Sequence, residues 1–447
     1  MKEKEQVIFM NLLIKQVRLI DPSSNTDKTA DILIENGIIT NIKDSISPSS
    51  ESAHEHKPSS GKDNFSGSIE IIDGNGLTAF PGLTDIHCHF RDPGWPEKET
   101  IESGAMAALA GGVTTVVCMA NTKPVTDNPD VMQYIMKKTK KLPIKLLQNS
   151  AMTVGLAGNE LVDAKAMLDA GACGFSDDGI PITSPQVMAE ALKTVAGTNT
   201  ILSVHEELPQ LLLTAGINYG EISKKTGVGG APDISESALI ERDIMLQAEY
   251  GGHLHFQHVS TARSARLIKN AREMGQNITA EVTSQHLALT DDIVLSAGAN
   301  AKINPPIRDE KNRQALLQGI VDGTFDVIVT DHAPHTVEDK QKGLVNSASG
   351  MIGLETSLSI AFETLVSSGL ISRLKLAELM CCNGAKMYGF EKKIAVGEKA
   401  DIALFDEKKV WKVEKFYSKS SNSPFLGKEL TGKVLYTICN NEIFRFI

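Results

Sequence analysis

Between residues 82 and 390, short runs rich in β-branched and apolar side chains recur eight times, separated by loops and mostly by amphipathic stretches such as ETIESGAMAALAGG and DEKNRQALLQGIVDG. The runs are LTDIHCH (83–89), TTVVCM (114–119), IKLLQNS (144–150), ACGFS (172–176), TILSVH (200–205), HLHFQH (253–258), ITAEVTS (278–284) and FDVIVTD (325–331). Strands covered on both faces read as nearly continuous apolar runs, and their alternation with helical stretches marks successive βα units. Eight such units are the number that closes a barrel. The expected fold class is therefore α/β, a (β/α)8 TIM-type barrel over residues 81–390.

The flanks are written differently. QVRLID, DILIENGIITNIKD and SIEIIDGNGLTAFPG alternate apolar and polar residues between Gly, Asn and Pro, and the style returns after 390 in KADIALFDEKKVWKV and GKVLYTICNNEIFRFI. Residues 1–80 and 391–447 are thus expected to form one small β-domain, discontinuous in sequence. Residues 44–69 are rich in Ser, Lys and Gly and poor in apolar residues, which predicts a mobile surface insertion.

With 41% apolar residues, the 447-residue chain can bury a large core. Its net charge of −10 lacks the surplus of Lys and Arg that phosphate neutralisation demands, so a nucleic-acid partner is not expected. Six cysteines without C-x-x-C spacing are expected to be reduced and structural. The first residues hold a short apolar run interrupted by Asn11 and Lys15 with no cleavage site after it, and no stretch is long enough to span a bilayer. The expected setting is cytoplasmic.

Chemistry gathers at the ends of the runs. Strand side chains alternate faces, so His87 and His89 project to one side, where two imidazoles can chelate a metal. An isolated His-x-His is more often a packed or exposed pair. His54 and His56 share that spacing inside the insertion, where nothing fixes their geometry, and carry little weight. His87 and His89 differ because His205, His258, Asp178 and Asp331 also fall at predicted C-terminal strand ends, the rim on which barrels build active sites. Four imidazoles and two carboxylates suit a pair of divalent ions, with zinc favoured by neutral imidazole.

Parity selects Asp178 over Asp177, since Phe175 faces the helices while Ser176 and Asp178 face inward; Asp177 is left to orient a neighbour. The same parity sets His253 and His255 outside the site, and His286 is left with a structural role. Asp331 is the candidate proton shuttle, taking a proton from attacking water and returning it to a leaving nitrogen. Alone, it could equally cap the loop that follows. Arg91 offers a planar fork for a carboxylate and so favours an acidic substrate. Asn121, Asn304 and His335 are polar loop residues near the same rim, each alone as apt to form a turn.

The string PGLTDIHCHFRDPG, together with GFSDDG, FQHVST, INPPIR and TDHAPH, resembles the dihydroorotase family of the amidohydrolase superfamily, in its longer bacterial-type branch. The likeness covers nearly the whole chain except 44–69. It implies that His87, His89, Asp178, His205, His258 and Asp331 ligate one or two Zn2+ ions, with Asp331 also acting as acid and base. It further implies that Arg91, Asn121, Asn304 and His335 bind carbamoyl-aspartate or dihydroorotate. A homo-oligomer and association with aspartate transcarbamoylase are expected by the same likeness.

Hydantoinases, dihydropyrimidinases and allantoinases resemble the chain too. The first two carry a carboxylated lysine after the fourth strand, where GACGFSDDGIP has none, so Asp178 is left to fill that place. Ala120, Gly384 and Ser349 depart from prolines common in the family without removing a liganding group. A silent paralogue that only scaffolds aspartate transcarbamoylase is disfavoured because all six ligand positions are kept, and a passive metal store leaves Arg91 without a role.

Overall fold

In the computed structural model, residues 10–47 and 69–447 are described. Residues 48–68, most of the expected insertion and its His54 and His56, lie outside the described residues.

The small domain is an open sheet. From the N-terminal side come β1 (Leu12–Asp21), β2 (Thr26–Glu35), β3 (Ile38–Lys43), β4 (Glu70–Asp73) and β5 (Leu77–Pro81). The barrel supplies β6 (Leu83–Cys88), β7 (Val113–Cys118), β8 (Lys145–Gln148), β9 (Phe175–Ser176), β10 (Ile201–Val204), β11 (His253–Phe256), β12 (Ile278–Thr283) and β13 (Val327–Val329). The C-terminal part adds β14 (Ile402–Lys412), β15 (Glu429–Cys439) and β16 (Glu442–Arg445).

The sheet order is β16-β15-β14-β5-β1-β2-β3, with β4 beside β1, so the two ends of the chain share one sheet. The junction is the antiparallel pair of β14 and β5, where Leu404 faces Ala79. A bulge between Ile14 and Val17 brings Gln16 to φ 53° and breaks strict alternation along β1. Leu12, Ile14, Val17, Ile32, Ile402, Leu404 and Ile438 bury the shared face. Leu404→Ala should lower stability by about 2–5 kcal/mol, the cost of truncating a buried leucine. A urea titration would show this as a lower midpoint at unchanged slope; an unshifted midpoint would mean that the joint sheet contributes nothing to the fold.

The eight expected runs each contain one barrel strand, all paired in parallel. β6-β7-β8 and β13-β12-β11-β10-β9 form two arcs. Bridges between Ser150 and Phe175 and between Cys88 and His332 join the arcs into a ring. At these seams Ser176 N donates to Ser150 O (2.8 Å) and His89 N to His332 O (2.9 Å). The second seam sets the His87–His89 segment against the segment that carries Asp331. Outside the ring, Leu146, Phe175, Leu202, Leu254 and Ile328 pack with Met132, Leu192, Ile240, Ile268 and Leu316 of the helices. All six cysteines are free, and among the described residues no helix is long and apolar enough to cross a membrane.

Candidate metal centre

The C-terminal mouth of the barrel gathers six side chains from five of the eight strands. Asp178, two residues beyond β9, is the common neighbour of four histidines. Its Oδ1 lies 3.3 Å from His87 Nε2, 3.5 Å from His258 Nε2 and 3.8 Å from His205 Nδ1, and its Oδ2 is 3.3 Å from His89 Nε2. Asp331 Oδ1 is 3.0 Å from His89 Nε2 and 3.5 Å from His87 Nε2. All six residues are buried.

Three of the four imidazoles are turned by a partner at the other nitrogen. His87 Nδ1 meets Glu281 Oε1 at 2.5 Å, His89 Nδ1 meets Asn121 Oδ1 at 2.8 Å, and His205 Nε2 lies 3.3 Å from Glu207 Oε2. With the proton at those nitrogens, the opposite nitrogen presents its lone pair to the cluster. His87 Nε2 is buried without a hydrogen-bond partner. His205 Nδ1 and His258 Nε2 face each other at 2.9 Å, close enough for a shared cation to hold two lone pairs together. Two sets within the cluster, His87-His89-Asp331 and His87-Asp178-His258, bring their ligand atoms close enough to grip one ion. The residues present therefore fit a divalent metal.

The electrostatics point the same way. Burial opposes a charge on the His87 ring, yet the carboxylates of Glu281, Asp178 and Asp331 overcome it and drive its pKa well up. Burial likewise pushes Asp178 and Asp331 towards neutrality, and the surrounding histidines, His87 foremost, reverse that and keep both ionised. A site that draws positive charge onto a buried ring is one that a cation relieves.

Glu281 was not anticipated. It sits in the middle of β12, fully buried, and accepts from His87 Nδ1, from His255 Nε2 (3.0 Å) and from the His258 backbone N–H (2.9 Å). One carboxylate thus ties β6, β11 and β12 around the site, and His87 and His255 beside it hold the Glu281 carboxyl well below the usual carboxylate range despite burial. A charged residue on the inward face of ITAEVTS, in line with Thr279 and Thr283, was the available signal. Glu207, adjacent in sequence to a second buried acid, Glu206, was missed as well.

Asp177 turns away, as parity requires: its Oδ1 accepts from Met152 N (2.7 Å) and Thr153 N (3.0 Å) and fixes the loop after β8. His286 donates from Nε2 to Pro305 O (3.1 Å) and accepts from Thr283 Oγ1 at Nδ1 (2.8 Å), which braces the loop bearing Asn304. Burial and the charge of His258 push it down to about 3, so it stays neutral.

A small cavity of about 100 Å³ opens onto the cluster, lined by Arg91, Asn121, Asn304, Ala333, Ser349 and Gly350 beside the ligand set. Arg91 is buried enough to bring its guanidinium down to about 10. Its Nε reaches Pro334 O at 3.4 Å, and its other nitrogens have no hydrogen bond among the described residues. Asn304 Oδ1 is buried without a partner. His335 does not line this cavity, contrary to the place expected for it. It stands behind the wall that Ser349 and Gly350 form, its Nε2 donating to Ser349 O (2.9 Å).

Residues 76–264 match the family model described as Dihydro-orotase-like. The chain is 43% identical over 436 residues to the dihydroorotase of Lactococcus lactis, covering 97% of this chain and 99% of that one. It is 42% identical over 437 residues, at the same coverage, to the dihydroorotase of Clostridioides difficile. Among solved structures, the L-hydantoinase (dihydropyrimidinase) of Arthrobacter aurescens superposes with TM-score 0.81 at 26% identity over 98% of both chains. The dihydropyrimidinase of Brevibacillus agri shares the fold, with TM-score 0.79 at 22% identity over 97% of this chain and 95% of that one.

Proposed function

Because the chain belongs to the dihydroorotase family, we propose that it interconverts dihydroorotate and N-carbamoyl-aspartate, the cyclic-amide step of pyrimidine biosynthesis. The observation that carries this reading is Arg91, a half-buried guanidinium at the cavity that opens onto the histidine and aspartate cluster. A neutral cyclic amide has no group to meet that charge, whereas the carboxylate of dihydroorotate does.

The ion we assign to the site is zinc, one or two per chain, with His87, His89, Asp178, His205, His258 and Asp331 as the residues that would hold it. When bound, such an ion supplies Lewis acidity, polarising a carbonyl and acidifying water. The chain's own residues do the rest. Arg91 and Asn121 hold the substrate carboxylate and orient the ring. Asp331, ionised and at the cavity, takes the proton of the attacking water and delivers it to the departing ring nitrogen, so the amide C–N bond breaks as the new carboxylate forms. Ring closure reverses the transfer: the carbamoyl nitrogen attacks the side-chain carboxyl carbon, and the proton leaves Asp331 with the departing oxygen as water.

The test is ring closure of carbamoyl-aspartate by the purified chain with zinc, run beside hydrolysis of dihydroorotate and of a neutral hydantoin. Dihydroorotate is expected to turn over; faster turnover of the hydantoin would replace this reading with that of a hydantoinase. Arg91→Met should raise KM for dihydroorotate by about 10- to 100-fold, the loss of a charged hydrogen-bonded pair, while kcat changes far less. An unchanged KM would remove Arg91 from carboxylate binding. The reading extends to a cytoplasmic homo-oligomer and to association with aspartate transcarbamoylase, which co-sedimentation of the two purified proteins tests.

A further inference from the structure

Two buried lysines stand behind the cavity wall and are not used by the chemistry above. Lys340 Nζ donates to Ala348 O (2.8 Å), Gly350 O (2.8 Å) and Lys302 O (3.4 Å). Lys302 Nζ donates to Val345 O (2.9 Å) and Ser347 O (2.8 Å), while its own carbonyl also accepts from Gly350 N at 2.9 Å. The strap that ends in the wall residues Ser349 and Gly350 is therefore strung on two ammonium groups. Asn422 adds a further bond to Gly350 O, and a Cβ on Gly350 would lie 2.8 Å from Ala333 and 2.9 Å from His335, so the wall has little room to shift.

Lys302 and Lys340 are 3% and 7% exposed, and among the described residues neither has a carboxylate within ion-pair distance. A buried charge without a counter-ion is costly, and stability alone would be served equally well by polar neutral groups. Burial, then the neighbouring charge of Lys302, push Lys340 down to about 7 against the pull of the Asp339 carboxylate; the three carbonyls it serves call for three N–H donors, which only the ammonium form has. Both lysines lie behind the cavity whose lining includes Arg91, and the anion that enters there is the substrate carboxylate.

Resting on the assignment of a carboxylate-bearing substrate, we propose that Lys340 and Lys302 are positioning residues for that carboxylate. They hold the Ser349–Gly350 wall in place, so that the cavity in front of Arg91 keeps the shape the carboxylate meets.

The test is steady-state kinetics of Lys340→Met and Lys340→Arg in the metal-loaded chain with dihydroorotate. The methionine variant should raise KM about tenfold with kcat within about twofold, the pattern of lost uniform binding, and arginine should recover most of the loss. Should the methionine variant fail to fold, Lys302→Met is expected to show the same split. A fall in kcat at unchanged KM, or equal impairment by methionine and arginine, would assign the lysines to the scaffold alone and overturn the proposal. Turnover of dihydroorotate by the unaltered chain checks the substrate assignment separately, so failure of one is not mistaken for failure of the other.

Discussion

Asp331→Ala should abolish turnover in both directions while the metal stays bound. The carboxylate stands two residues past the end of β13, at φ 47°, a backbone conformation that turns it over the mouth instead of continuing the strand. Its Oδ1 lies 3.0 Å from His89 Nε2, and the histidines beside it keep it ionised despite burial. It is the cavity-lining carboxylate left over once Asp178 is engaged by four histidines, and so the group free to carry a proton. Loss of a positioned acid and base costs about 10²- to 10⁴-fold in rate. Five donor side chains survive the substitution, so elemental analysis should find metal near the unaltered level. Full activity in a metal-loaded alanine variant would take Asp331 out of the mechanism.

Glu281→Gln should weaken metal binding by about 10- to 100-fold, the usual cost of losing a partner that orients a liganding histidine. The amide keeps the volume but not the function. Three donors, His87 Nδ1, His255 Nε2 and His258 N, converge on the two oxygens of Glu281, and one of those oxygens becomes an NH2 that faces a donor and has no acceptor to donate to. The His87 ring then loses both its tautomer and its aim. Competition with a chelator measures the affinity directly, and activity should return at saturating metal because no reacting group has been removed. Unchanged affinity would mean that the cage holds its shape without β12.

How much of this was legible in the chain depends on which forces set each part. The barrel could be read because each strand is covered on both faces, which writes itself as an apolar run, and because there are eight of them. The clustering of the candidate ligands could be read because they sit at the ends of those runs, although parity itself stops there: His258 at φ 31° and Asp331 at φ 47° have already left the strand. Glu281 was passed over because a lone acid in a β-branched run looks like part of the strand until its three donors, two on β11's segment and one on β6, are brought round to it. His335 was placed at the cavity on the strength of a motif alone. Its true position is set by the strap from 343 to 350, whose path depends on Lys302 and Lys340, and no local pattern reveals that their ammonium groups meet the same backbone.

Anomalous diffraction from crystals grown with zinc, collected at the zinc absorption edge, tests the centre of this account. A peak among the side chains of His87, His89, Asp178, His205, His258 and Asp331 is the predicted result. A map with no peak at the barrel mouth, and zinc bound elsewhere on the molecule, would contradict it.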